Sequence, residues 1–270
     1  MFDETGEREG GLGSALAEPW MDLEVARAGE AAVSGGQPWP KTAEELIDAQ
    51  RGLDRADPPL WRPVDLEALH VAAAWVCFAR GVTGTGSAGD PAWAAAVTMF
   101  GGRLTERAVA YGQAASGYIP GLLALRIGPL LGEVVGHLGH GFDVLLVDAT
   151  GRDHPRHAGL AVHLGAVLGV PTIGVTHRPL VASGTWPEDR TGAVAPLLDG
   201  QSTVGFWLRS RAGTRPIAVH AGWRTDPGTA LTVVLAGKGQ MRTPAPLRQA
   251  RRVARLARAG RDQGMRLGSP

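Results

Sequence analysis

GFDVLLVDATGRDHPRHAGLAVHLGAVLGVPTIGVTHRP, residues 141–179, decides the fold. Phe142 to Val147 is short and almost wholly apolar and ends in one carboxylate, Asp148. That pattern reads as a strand buried on both faces, as inside an α/β sheet. Asp148 then stands at the strand's carboxyl end, where open α/β sheets place their ligands. The turn that follows carries His154-Pro155-Arg156, six to eight residues beyond the carboxylate. Ala158 to Leu168 has helical apolar spacing, closed by Gly169 and Pro171. Pro171 to Val175 reads as the next strand, so the stretch is a βαβ unit with its polar chemistry at one edge.

Working outward, Val71 to Phe78 is apolar throughout and predicts a central strand. Trp93 to Phe100 and Leu104 to Tyr111 predict a hairpin around Gly101-Gly102. Thr42-Ala43-Glu44-Glu45 predicts a capped helix start running to about Arg51. Val181 to Gly192 reads as a polar loop. Val204 to Arg209 and Arg215 to His220 read as a second strand pair, and Pro227 to Leu235 and Pro246 to Ala259 as helices with proline near each start. Residues 1–40 lack sustained periodicity and predict a mobile tail, 41–260 one folded domain, and 261–270 a frayed end.

The chain has 270 residues, enough for one sizeable core, and a formal net charge of +1. So balanced a sum neither demands nor excludes a nucleic-acid partner. The distribution is more telling, with acids in the first thirty residues and arginines from Arg242 to Arg266. The lone Cys77 excludes an intramolecular disulfide. No apolar run reaches membrane-spanning length, which predicts a cytoplasmic protein without a membrane partner. A monomer is expected.

Five blocks in one order resemble endonuclease V: GYIPGLLALR (117–126), VDATGRDHPR (147–156), GVPTIGVTHRPL (169–180), AGWRTDPGTAL (221–231) and MRTPAPLRQARRVAR (241–255). The resemblance implies an α/β fold with a ribonuclease H-like mixed β-sheet flanked by helices. It also implies Mg²⁺-dependent cleavage of DNA or RNA beside inosine. Such hydrolysis needs several carboxylates converging on the cations. The family draws them from the first strand, from the residue after the YIPG block and from the end of the central strand. Only the third survives here, as Asp148. Trp75 stands at the first position and Ile127 at the second. The family's lysine after GVPTIGV is His177, the histidine of its late GHR block is Trp223, and Thr150 replaces the histidine between the two glycines.

The resemblance carries Asp148 over as catalytic and metal-binding, and His154 as catalytic. The plain alternatives are a strand-end carboxylate capping its turn and a loop histidine bonded to it. Asp153 or Glu133 could rebuild a metal site with Asp148. The recognition residues match better. Tyr118, Ile119 and Pro120 correspond to the wedge that fills the gap left by an everted base. Gly121, Leu123 and Leu180 correspond to the base pocket, and Arg156 to a phosphate contact. The expected protein is therefore a diverged endonuclease V-like chain with impaired or lost catalysis and nucleic-acid binding retained. The competing expectations are a nuclease with a rebuilt site, and a structural or partner-binding protein whose pocket is filled by Trp75 and Trp223.

Overall fold

A computed structural model describes residues 26–27, 39–139, 141–237 and 241–267, with side chains to residue 260. Apart from 26–27 and 39–40, the expected N-terminal tail lies outside the described residues. The strands are β1 (Ala26–Arg27), β2 (Val71–Phe78), β3 (Pro91–Phe100), β4 (Arg103–Gln113), β5 (Val144–Val147), β6 (Thr172–Thr176), β7 (Val194–Asp199), β8 (Ser202–Leu208) and β9 (Ile217–Ala221). They form one mixed sheet in the order β1-β4-β3-β2-β5-β6-β9-β8-β7. The central β2, β5 and β6 run parallel, and the strands from β3 to β4 and from β9 to β7 are antiparallel additions. This is the ribonuclease H-like arrangement.

Helices α1 (Ala43–Arg55), α2 (Leu123–Gly136) and α3 (Leu160–Leu168) cover one face of the sheet, and α4 (Pro227–Ala236) and α5 (Ala245–Leu267) the other. The unbroken apolar run of β2 follows from this. Ala72, Ala74 and Val76 enter the core beneath α1 to α3, while Ala73 and Cys77 enter the core beneath α5. Trp75 has the parity of the second set and packs on the α5 side. On β5, Leu145 and Val147 face one core and Val144 and Leu146 the other, so Asp148 falls on the α5 side too. No helix among the described residues is long and apolar enough to cross a membrane.

Thr42 caps α1 by accepting the Glu45 N–H at 3.1 Å, and Glu45 reaches back to the Lys41 N–H at 2.7 Å. Trp39, two residues before that helix's capping residues, stacks on His163 with ring centroids 5.0 Å apart. A Cβ on Gly128 would come within 2.4 Å of the Trp39 ring, so this helical glycine makes the slot that seats it. β7 was not expected; it is an edge strand, where the missing N–H of Pro196 costs nothing. α5 continues past Gly260 to Leu267, beyond the point where fraying was expected.

Candidate nucleic-acid site

A cleft of about 420 Å³ opens at the carboxyl ends of β5 and β6, lined among others by Gln50, Tyr118, Gly121, Asp148, His154 and Leu180. Its near wall is the turn entering α2. The Leu122 N–H donates to the Ile119 carbonyl at 2.9 Å, and Gly121 has φ +77°, so Ile119-Pro120-Gly121-Leu122 is a type II turn. Proline presets the first inner position, and glycine supplies the positive φ of the second. The turn leaves Tyr118 (42 %) and Ile119 (47 %) exposed at the cleft rim. Behind it, buried Arg126 pairs with Asp90 at 2.8 Å and donates to the Ser87 and Ser116 carbonyls. That ties the loop holding Thr85, whose carbonyl accepts the Tyr118 N–H at 2.9 Å.

The Gly121 carbonyl accepts three hydrogen bonds, from Gln50 Nε2 (3.0 Å), His154 Nε2 (2.9 Å) and Arg156 Nη2 (3.2 Å). Gln50 Oε1 in turn accepts from Arg156 Nε at 2.6 Å. The Arg156 N–H donates to His154 Nδ1 at 3.1 Å, which assigns the proton to Nε2. His154 is therefore a neutral ring with both nitrogens committed, and burial lowers its pKa below that of an ordinary histidine. It holds Gly121 rather than Asp148. Arg156, expected to meet phosphate, turns inward to the same carbonyl.

The far wall is residues 177–182. Buried Asp153 accepts the N–H groups of Leu180 (2.7 Å), Val181 (2.8 Å) and Ala182 (2.7 Å). Thr176 donates to the Arg178 carbonyl at 2.8 Å and accepts from His220 Nε2 at 2.8 Å, which leaves His220 Nδ1 facing Asp153 at 3.6 Å. Burial lowers the His220 pKa to about 4, so the ring is neutral despite that carboxylate. Asp153 shapes the wall and has no oxygen turned to the cleft. The residue proposed to rebuild a metal site with Asp148 is thus fully buried, engaged by three N–H groups and outside the cleft lining.

The register pairing Ala74 with Val147 brings Trp75 alongside Asp148, as the alignment of the first strand requires. The Trp75 indole N–H donates to Asp148 Oδ2 at 2.8 Å, and Arg251 Nη2 holds the same oxygen at 2.7 Å. Arg251 and Arg255 lie over the Trp75 ring at 5.8 Å and 5.2 Å from its centroid. Ile127 packs into the core beneath α1 to α3. Glu133 lies ten residues beyond Leu123 on α2, about 15 Å along the helix. It lines no part of the cleft, and burial raises its pKa. The donor set does not fit Mg²⁺, which would need Trp75 and Arg251 removed from Asp148 and further oxygen ligands supplied. Trp223, also absent from the cleft lining, bonds through its backbone to Thr172 at the opposite end of β6.

Tyr118, Gly121, Leu123, Asp148, His154 and Leu180 thus share one cleft, with Ile119 and Pro120 on the turn at its rim. Sequence reasoning missed Gln50, whose only signal is its place one turn after buried Leu46 on α1. Arg251 was visible only as one of many arginines. His177 lines the cleft too, kept low in pKa by burial and by Arg242 and Arg251, against the pull of Asp148.

The family model "Endonuclease V" matches residues 71–252. The endonuclease V of Methanopyrus kandleri is 39 % identical over 164 residues, covering 61 % of this chain and 70 % of that protein. The crystal structure of Streptomyces avermitilis endonuclease V superposes with a TM-score of 0.71 at 32 % identity, over 86 % of this chain and 97 % of that one. Ciona intestinalis endonuclease V, in complex with a 24mer DNA containing an inosine followed by a ribo-adenosine, shares the fold at 18 % identity and a TM-score of 0.66, over 79 % and 96 % of the two chains.

Proposed function

The chain belongs to the endonuclease V family, and we propose that it retains the family's reading of an extruded inosine base while lacking metal-dependent hydrolysis. The observation carrying this reading is the pairing of an open cleft at Tyr118 with an Asp148 oxygen shared by Trp75 and Arg251. Recognition and chemistry use different parts of one sheet edge, and only the second has been rebuilt. Extruding a base costs a few kcal/mol, and an aromatic ring at the vacated position offsets the lost stacking. Tyr118 and Pro120 stand on a rigid turn for that task, and the cleft beside them accepts the base. Its walls are fixed by Gly121 with its three donors and by Asp153 with its three acceptor bonds. Such preorganisation favours binding, because little order is lost when the ligand enters. The Ciona protein's DNA complex supports nucleic acid as the ligand class through the shared fold.

Hydrolysis lacks comparable support. One carboxylate remains where three were expected, and its Oδ2 is engaged. A rebuilt metal site is disfavoured by the burial of Asp153 and the distance of Glu133. A partner-binding relic is disfavoured because neither Trp75 nor Trp223 lines the cleft. The direct test is one oligonucleotide in two assays. Binding of an inosine-bearing strand without cleavage in Mg²⁺ or Mn²⁺ is the expected result. Robust cleavage abolished by Asp148→Ala contradicts it.

A further inference from the structure

The surroundings of Asp148 carry the charge opposite to that of a divalent-cation site. Asp148 is the only acid among the described residues lining the cleft, while Arg178 also lines it. Arg251 is ion-paired to Asp148, Arg255 lies across the Trp75 ring, and Arg242 acts on His177 together with Arg251. A site built for Mg²⁺ concentrates negative charge; here guanidinium groups outnumber the carboxylate.

We infer that the Asp148–Arg251 centre is a phosphodiester site with a built-in cation. In it the guanidinium of Arg251 meets the backbone phosphate of a bound strand directly, without a divalent ion. Arg251 is suited to this by how it is held. Its Nη2 is anchored on Asp148 at 2.7 Å, and its guanidinium carbon lies over the Trp75 ring at 5.8 Å from the centroid. Its Nε is buried without an acceptor, so a phosphate would meet the part of the side chain, 22 %, that stays exposed. A planar fork fixed on one side by a carboxylate and partly exposed is preorganised for a tetrahedral anion. Trp75 contributes by taking part of the Asp148 oxygen, so that the carboxylate does not absorb the whole guanidinium. His177, neutral at the cleft edge, can donate a hydrogen bond without adding charge.

The ligand class rests on the proposed function, but exclusion of the metal does not. The test uses the full chain. Fluorescence anisotropy of an inosine-bearing single strand is measured across a salt series, in EDTA and in Mg²⁺, with inorganic phosphate as competitor. Mn²⁺ binding to the protein alone is followed by electron paramagnetic resonance. Affinity in EDTA and in Mg²⁺ should agree within about twofold, and Mn²⁺ should show no saturable binding. Arg251→Ala should lower the slope of log K against log salt by about 0.7, the loss of one phosphate contact on a single strand, while Arg251→Lys retains most of it. Strand binding that needs Mg²⁺, Mn²⁺ binding removed by Asp148→Asn, or an unchanged slope in folded Arg251→Ala each overturns the inference. Displacement by low inorganic phosphate would overturn the choice of a strand in favour of free phosphate. If no oligonucleotide binds, the proposed function and the phosphodiester assignment fail together. The Mn²⁺ measurement, which needs neither strand nor variant, still decides whether the built-in cation excludes the metal.

Discussion

Trp75 and Asp148 stand side by side on parallel strands, joined by a 2.8 Å hydrogen bond from the indole to Oδ2. The family resemblance implies a shared metal at these two positions. Here they share a proton donor and an acceptor, and Arg251 completes the substitution. The three side chains form one polar network.

The first prediction concerns reversing that change. Trp75→Asp combined with Ile127→Glu and Arg251→Ala should create measurable Mn²⁺ affinity, where none is expected of the natural chain. Cleavage of inosine-containing DNA should stay far below ordinary endonuclease rates, because His177 occupies the lysine position. Mn²⁺ titration and a gel cleavage assay on the same preparation check both halves.

Asp153 should be among the costliest residues to replace. Asp153→Ala leaves the N–H groups of Leu180, Val181 and Ala182 without their buried acceptor, each worth roughly 1 kcal/mol. A loss on the order of 3 kcal/mol, or about 6–12 °C in Tm for a domain of this size, is expected. Thermal unfolding of the variant measures it, and a change under 2 °C contradicts the role given to this carboxylate.

Acid should destabilise the fold through two buried histidines. Burial holds the pKa of both His163 and His220 down at about 4, against 6.5 in the unfolded chain. Between those values the unfolded chain binds more protons, so stability rises with pH across the window and is lost as pH falls from 6.5 towards 4. A drop from 6.5 to about 4 corresponds to roughly 3 kcal/mol per ring. His163→Phe keeps the stack on Trp39 and removes one titration. Its Tm should therefore fall less steeply than the parent's between pH 7 and pH 4.5.

These residues also mark how far the sequence could be read. The βαβ unit and the Val71–Phe78 strand were legible because buried parallel strands are continuously apolar, and their register followed. Tyr118 to Gly121 was legible because a Pro-Gly pair permits few turns. Asp153 was not. An aspartate in a Gly/Arg-rich turn looks solvated until the segment 180–182 folds over it, 27 to 29 residues later in the chain. Gln50 was hidden likewise, its partner Gly121 lying on another element. Arg251 was one arginine in a basic helix, and only the packing of α5 on β2 singles it out.

Gly121→Ala tests the near wall. The added Cβ would face φ +77° and stand 3.3 Å from Arg156 Nη2. Strain of about 1–2 kcal/mol is expected, with a matching loss of Tm and weaker binding to inosine-bearing strands. Unaltered binding would show that the three bonds to the Gly121 carbonyl do not shape the ligand site.

Retained recognition without hydrolysis is tested most directly by the ratio of affinities for an inosine-bearing single strand and a matched strand carrying guanosine. Both are measured in EDTA over a salt titration, for the natural chain and for Tyr118→Ala. The account predicts a preference for inosine at every salt concentration, with both affinities weakening together as salt rises. Tyr118→Ala should abolish the preference while leaving the salt slope unchanged. Equal affinity of the natural chain for the two strands, unaffected by Tyr118→Ala, would contradict it.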